Sequence, residues 1–317
     1  MYPSATKESA IAFTIPPQRI KPRRLRTGAT IGIVAPASPF ESDVFDQGVA
    51  ILQTMGFETL PAQGISTRQG YLAGDDALRA AQLTAMWADE RVDAVICARG
   101  GYGSLRILPL LNFQQLAARP MPFIGFSDIC TLHQQFLFQA GLVTFHGPTV
   151  CSLAGADEQT RSAFFGTLTG DAPRQMIADA PRMIAPGRSQ GVLTGGNLTT
   201  LCHLLGTAYA PSYDRCVLFI EDRGEAPYRI DRMLVQMKMA GCFSGLAGLI
   251  LGTFKDCGSM DDIIHIIGDV FGELNIPVLA GFAAGHTERN LMLPFGVEVR
   301  LDADRGELTL LESPTLD

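Results

Sequence analysis

The sequence predicts an α/β protein: a parallel sheet covered on both faces by helices, followed by a smaller α/β unit. Two observations carry this. Strand-length runs that are apolar almost throughout, at 29–35, 92–97, 122–126 and 142–146, alternate with segments of helical period. Strands buried on both faces read this way, and alternation with helices implies a parallel sheet. A third observation is that the unusual loops, Ala35-Pro36-Ala37-Ser38, Arg99-Gly100-Gly101-Tyr102-Gly103 and Gly125-Phe126-Ser127-Asp128, each follow such a strand. In folds of this kind ligands bind beyond the carboxyl ends of the strands, so the three loops are expected to meet.

Along the chain, residues 1–25 are expected to be a loose arm, because Pro16-Pro17 interrupts their short apolar piece. A first domain then spans 26–168. It opens on the strand "ATIGIVAPAS" and continues with a helix over 42–55, a short strand in "FETLPA" and a helix over 75–88. The strand "VDAVIC" runs into the glycine loop, and "PFIGFSDICTLH" is a strand, a turn and a helix. "LVTFHGP" and a helix over 157–168 close the unit. Residues 169–190, rich in Pro, Ala and Arg and without helical period, read as the crossover between domains. The second domain, 191–317, holds "GVLTGGNLTTLCHLLGT", "CVLFIEDRGEAPYRIDRMLVQMKMAG" and "LAGLILGTF". A helix over 260–272, a strand over 276–280 and a last pair at 291–294 and 296–301 complete it.

Composition narrows the function. A formal net charge of −7 argues against a nucleic-acid partner. The basic residues of the N-terminus follow its apolar piece, the reverse of a secretory signal. No apolar run reaches the roughly 18 residues that cross a bilayer, so a cytoplasmic protein without a membrane partner is expected. Cys97, Cys130, Cys151, Cys202, Cys216, Cys242 and Cys257 are odd in number and scattered, most of them in apolar runs, and read as reduced core thiols.

The polar groups at segment ends carry the chemistry. Ser127 and Asp128 follow one apolar strand, Glu221 and Asp222 follow another, and His286 ends "AGFAAGH". Serine, carboxylate and histidine are the parts of a hydrolytic triad, whose chain order varies. The plainer readings are a helix cap at Ser127 or Asp128, a turn at Glu221-Asp222 and a structural His286. His203 and His265 lie in helical patterns, and His133 within the helix after Ser127. His146, ending a strand, is the one competitor to His286. The glycine loop lacks the lysine ending of a phosphate-binding loop. It could cradle an anion or supply an oxyanion donor. There is no H-E-x-x-H and no histidine pair at zinc spacing, and no cofactor is implied.

Seven stretches in order, "GIVAPASP", "ARGGYGSLRILPLL", "FIGFSDICTLH", "TFHGP", "GGNLTTLCHLLGT", "IEDRGEAPYRIDRML" and "GFAAGHTERNLMLPFG", resemble the LD-carboxypeptidase (murein tetrapeptide carboxypeptidase) family of serine peptidases. The resemblance spans residues 32–296. It implies a Rossmann-like N-terminal domain and a smaller C-terminal α/β domain with the site between them. It implies a triad of Ser127, Glu221 and His286, and an oxyanion hole from the N–H of Asp128 and of Gly101, with Gly100 as the alternative. The implied reaction releases D-alanine from the L-centre of meso-diaminopimelate or L-lysine in murein tetrapeptide, in peptidoglycan recycling. Members are often homodimers. The family also holds proteins similar to microcin C self-immunity proteins, which cleave a peptidyl-nucleotide. "EDRGEAPYRIDRML" looks more like the murein branch. Tyr102, Asn197 and Arg229 are candidate substrate contacts beside Gly100. Arg99, Arg223 and Arg289 lie near the motifs too, and each arginine could equally be in an ion pair; Asn197 could equally be a helix cap. The contrasting reading is a non-catalytic pair of domains closing on a small anion.

Overall fold

A computed structural model describes residues 13–317. The elements are β1 (Thr30–Val34), α1 (Ser42–Thr54), β2 (Glu58–Pro61), α2 (Asp76–Ala88), β3 (Ala94–Cys97), α3 (Ser104–Ile107), α4 (Phe113–Ala117), β4 (Phe123–Gly125), α5 (Cys130–Ala140), β5 (Thr144–His146), α6 (Val150–Ala154) and α7 (Glu158–Thr169). They continue with β6 (Gln175–Ile177), β7 (Arg182–Ala185), β8 (Arg188–Asn197), α8 (Leu198–Cys202), β9 (Cys216–Arg223), α9 (Pro227–Met239), β10 (Gly248–Lys255), α10 (Met260–Phe271), β11 (Val278–Ala280), β12 (Leu293–Phe295), β13 (Glu298–Asp302) and β14 (Glu307–Leu310).

The first sheet has the order β12-β5-β4-β3-β1-β2, with β1 to β5 parallel. Its inner strands β3, β4 and β5 are buried at every residue, which is why they read as unbroken apolar runs. Strand order reverses between β1 and β3, and the crevice beyond their carboxyl ends is where such a sheet takes a ligand. The second sheet has the order β6-β14-β13-β8-β9-β10-β11-β7. Strands β8 to β11 are parallel and the flanking ones antiparallel.

Three expectations are corrected. Residues 13–25 are not a loose arm: Phe13, Ile20 and Arg23 form bridges with Pro211, Leu142 and Leu316, and Leu25 is buried in the core. Ile20 donates to Gly141 and accepts from Val143, both at 2.8 Å. The apolar side chains Ile15, Ile20 and Leu25 each pack on a different part of the core. The part of the arm over 1–12 lies outside the described residues. The segment 169–190 is more than a crossover, since it contributes β6 and β7, opposite edges of the second sheet. Short, half-exposed edge strands carry little periodicity. Finally, the last strands do not pair with each other. Strand β12 runs antiparallel to β5 in the first sheet, and the chain returns to the second through Gly296 at φ +97°.

That excursion fuses the two sheets. Phe145, Phe219 and Phe295 lie in one buried cluster drawn from both, with the rings of Phe219 and Phe295 6.3 Å apart. Helix α5, buried from Cys130 to Phe138, lies at this junction. Its His133 is fully buried: Nε2–H donates to the Gly125 carbonyl (2.9 Å) and Nδ1 accepts from the Thr144 hydroxyl (2.8 Å). The bonds tie the end of β4 to β5 and suit a neutral ring.

Burial lowers the His133 pKa to about 4. The unfolded chain takes up the proton near pH 6.5. His133 therefore contributes its full stability above that pH and loses it as pH falls toward its folded value. The loss approaches about 3 kcal/mol. Urea unfolding of wild type and His133→Gln should show their stability difference shrinking by about 2–3 kcal/mol between pH 7 and pH 4.5. A constant difference would contradict a neutral buried ring.

Candidate active site

Ser127 stands where β4 turns into a short 3-10 turn (127–129) that leads into α5. Its φ is +65°, a left-handed value that a non-glycine residue holds only when its surroundings impose it. Two glycines make room. A Cβ on Gly125 would lie 2.8 Å from Ile129, and one on Gly100 would lie 2.9 Å from the Ser127 Cβ. The second glycine of a G-x-S-x-G elbow is missing from the sequence, and close approach comes from the neighbouring loop. Neither Ser127 nor Asp128 serves as the expected helix cap. The cap position falls on Phe126, and no side chain bonds there. Asp128 is buried and accepts from the Ser104 N–H at 2.8 Å, which ties the elbow to α3. Burial raises its pKa against that hydrogen bond.

Glu221 lies near the end of β9, fully buried, with Asn197 of β8 opposite in register. His286 comes from the loop after β11. The structure brings the three together: His286 Nε2 is 3.0 Å from Ser127 Oγ, and His286 Nδ1 is 2.7 Å from Glu221 Oε2. The geometry suits a neutral imidazole that donates from Nδ1 and accepts the serine proton at Nε2. Burial raises the Glu221 pKa, and the bond to His286 opposes the rise. Gly285, at φ +126°, fits where a Cβ would lie 2.7 Å from Glu221 Oε2. Its N–H donates to Asn290, and Arg289 pins the same loop to Asp157 (2.7 Å) and Asp179 (2.6 Å).

The glycine loop after β3 is the third part. Gly101, at φ +109°, rests on Ser38, whose Oγ would lie 2.4 Å from a Cβ there. Ser38 Oγ also accepts from the Tyr102 N–H at 3.0 Å. From below, the fully buried Arg79 donates to the carbonyls of Pro36 (2.5 Å), Gly103 (2.8 Å) and Gly74 (3.3 Å) and pairs with Asp76. One guanidinium thus holds the loops after β1 and β3, a role that nothing in the local sequence marks.

A cleft of about 490 Å³ opens over these groups, lined by Ser127, Asp128, His286, Gly100, Gly101, Tyr102 and Asn197, among others. Asn197 is also a helix cap: its Oδ1 accepts from Thr200 and its Nδ2 donates to Asp222. Arg229 does not line the cleft; it lies exposed on α9, 3.5 Å from Glu225. His146 is fully buried in β5, its ring 5.0 Å from that of Phe219, and burial holds its pKa well below the usual value. His203, expected within a helical pattern, lines the cleft, as do Thr149, Ser152, Thr199 and Thr200. Their helices are too short to show a period, so their facing was not legible. Among the described residues no group of three or more His, Cys, Asp or Glu is placed to hold a metal ion.

Comparison with known proteins agrees in both halves. The profile described as the LD-carboxypeptidase N-terminal domain matches residues 31–147, and that of the C-terminal domain matches residues 190–301. A Streptomyces coelicolor protein named as a carboxypeptidase is 40% identical, covering 92% of this chain and 96% of its own. The murein tetrapeptide carboxypeptidase of Pseudomonas aeruginosa is 31% identical over 87% of this chain and 94% of its own. The microcin C7 self-immunity protein MccF of Escherichia coli is 27% identical, covering 91% of this chain and 94% of its own. A structure of MccF with glutamyl sulfamoyl guanosine superposes with a TM-score of 0.86 at 25% identity, covering 93% of this chain and 99% of that one.

The strain at position 127 gives a test independent of activity. Glycine holds a left-handed φ freely, while an L side chain pays about 1 kcal/mol or more. Ser127→Gly should therefore be more stable than Ser127→Ala by about 1 kcal/mol in thermal denaturation. Equal stabilities would contradict a strained elbow.

Proposed function

The chain belongs to the LD-carboxypeptidase family, and from that premise we propose that it is a serine-type enzyme acting on murein tetrapeptide. The observation that carries the serine mechanism is the line of hydrogen bonds from Ser127 through His286 to Glu221 in an open cleft. Ser127 Oγ attacks the carbonyl of the diamino acid's L-centre as His286 Nε2 takes its proton. Glu221 holds the imidazole orientation and stabilises the imidazolium. The backbone N–H groups of Asp128 and Gly101 receive the oxyanion. His286 then gives its proton to the departing D-alanine amine, and a water assisted by the same histidine resolves the acyl-enzyme.

The substrate is proposed from the name of the Pseudomonas relative and from "EDRGEAPYRIDRML". A cytoplasmic homodimer acting in peptidoglycan recycling fits that assignment. Similarity to MccF supports a second reading, hydrolysis of a peptidyl-nucleotide.

Wild type should release D-alanine from a tetrapeptide ending in meso-diaminopimelyl-D-alanine, undiminished by a chelator. Ser127→Ala should release none, and Glu221→Gln should be slower by roughly four orders of magnitude, as when a triad acid is neutralised. Release sensitive to chelator or indifferent to Ser127→Ala would overturn the serine mechanism. Cleavage of a peptidyl-nucleotide alone would move the assignment to the second reading. Ligand binding without turnover would return the non-catalytic one.

A further inference from the structure

The arginines near the motifs separate into two kinds. Arg289 is held by Asp157 and Asp179, and Arg229 faces Glu225 from outside the cleft. Arg99 and Arg223 both line the cleft, and among the described residues neither has an acidic side chain within ion-pair distance. They differ in setting. Arg223 directly follows Asp222 and lines the cleft together with Asp222 and Glu225, so acids surround its charge. Arg99 precedes Gly100, whose backbone lies against Ser127. Its Nη1 donates to the Pro39 carbonyl at 2.8 Å, which anchors the guanidinium and leaves its other N–H groups for a ligand. Beside it, the Cys151 N–H donates to the Ala98 carbonyl at 3.0 Å. This brings Thr149, Cys151 and Ser152 to the same wall of the cleft.

A fixed guanidinium one residue from the loop that abuts the nucleophile, in a corner of small polar side chains, suits a small residue with a free carboxylate. We propose that Arg99 binds the C-terminal carboxylate of the departing amino acid and so makes the enzyme an exopeptidase. The inference rests on the carboxypeptidase reading above. The carboxylate lies on the leaving side of the scissile amide, two bonds from the departing nitrogen, so a cation there fixes register: only the last peptide bond reaches Ser127. Arginine suits the task because its planar fork meets a carboxylate with paired, charge-assisted hydrogen bonds.

The test compares the tetrapeptide with a free D-alanine carboxylate and the same peptide with a C-terminal amide. Wild type, Arg99→Met, Arg99→Lys and Arg223→Met are assayed on both, with thermal stability measured in parallel. Wild type should favour the free acid by roughly 10- to 100-fold in kcat/KM, the discrimination that a charge-assisted hydrogen bond provides. Arg99→Met should lose that factor on the acid, keep its rate on the amide, and bring the ratio to within about threefold of unity. Arg99→Lys should restore part of the ratio and Arg223→Met should leave it as in wild type. Equal losses on acid and amide in Arg99→Met, or an unchanged ratio, would overturn the inference while leaving the carboxypeptidase reading in place. A ratio lost in Arg223→Met instead would assign the carboxylate to the opposite wall and overturn it as well. Wild type inactive on both peptides would overturn the functional reading itself, and this inference with it.

Discussion

A single hydrogen bond, 3.0 Å from Ser127 Oγ to His286 Nε2, spans the join between the two sheets, and the rest of the architecture serves to hold it. The serine belongs to the first sheet, through β4. The histidine and its carboxylate belong to the second, through the loop after β11 and through β9. A shift of an ångström between sheets would break the line, because a hydrogen bond weakens steeply with length and angle. The chain guards against this shift in several ways. Strand β12 crosses from one sheet to the other, aromatic rings from both sheets share one core, and Arg289 ties the histidine loop to Asp157 at the start of α7.

The electrostatics follow from the burial of Glu221. Its Oε2 meets His286, and the neighbouring Asp222 adds a second negative charge. A carboxylate so placed is costly until a positive charge forms nearby. In the proposed mechanism, proton transfer from Ser127 would create that charge on His286. The interaction would then gain strength as the reaction proceeds, which is the condition for lowering a barrier rather than tightening a ground state. Asp222 is answered locally by Asn197, by the backbone and hydroxyl of Thr199, and by its own following N–H. Adjacent acids thus have different tasks: Glu221 faces the histidine, and Asp222 fastens the start of α8.

Much of this was legible because the signals are local. Unbroken apolar strands marked a parallel sheet, and β1 to β5 with α1, α2, α5 and α7 were placed to within a few residues, while the short helices α3, α4 and α6 were not foreseen. Ser127, Glu221 and His286 stood out as polar groups ending apolar segments. Less local features did not show. The strain at Ser127 depends on a glycine from another loop, and the Arg79 clamp depends on three carbonyls far apart in sequence. Edge strands β6 and β7 lie in a proline-rich stretch with no alternation to read. The choice of β12 to join β5 rather than β13 is set by packing between sheets, which periodicity along the chain does not encode. The four arginines were equivalent in sequence; ion-pair partners set Arg229 and Arg289 apart, and the setting in the cleft separates Arg99 from Arg223.

The most direct measurement is the site of covalent modification by a small serine-directed fluorophosphonate, mapped by peptide mass spectrometry. The expected result is one adduct, on Ser127, that does not form in His286→Ala over the same time. An adduct on another residue, or an unmodified Ser127 in protein that the reagent has inactivated, would contradict a nucleophile activated across the two sheets.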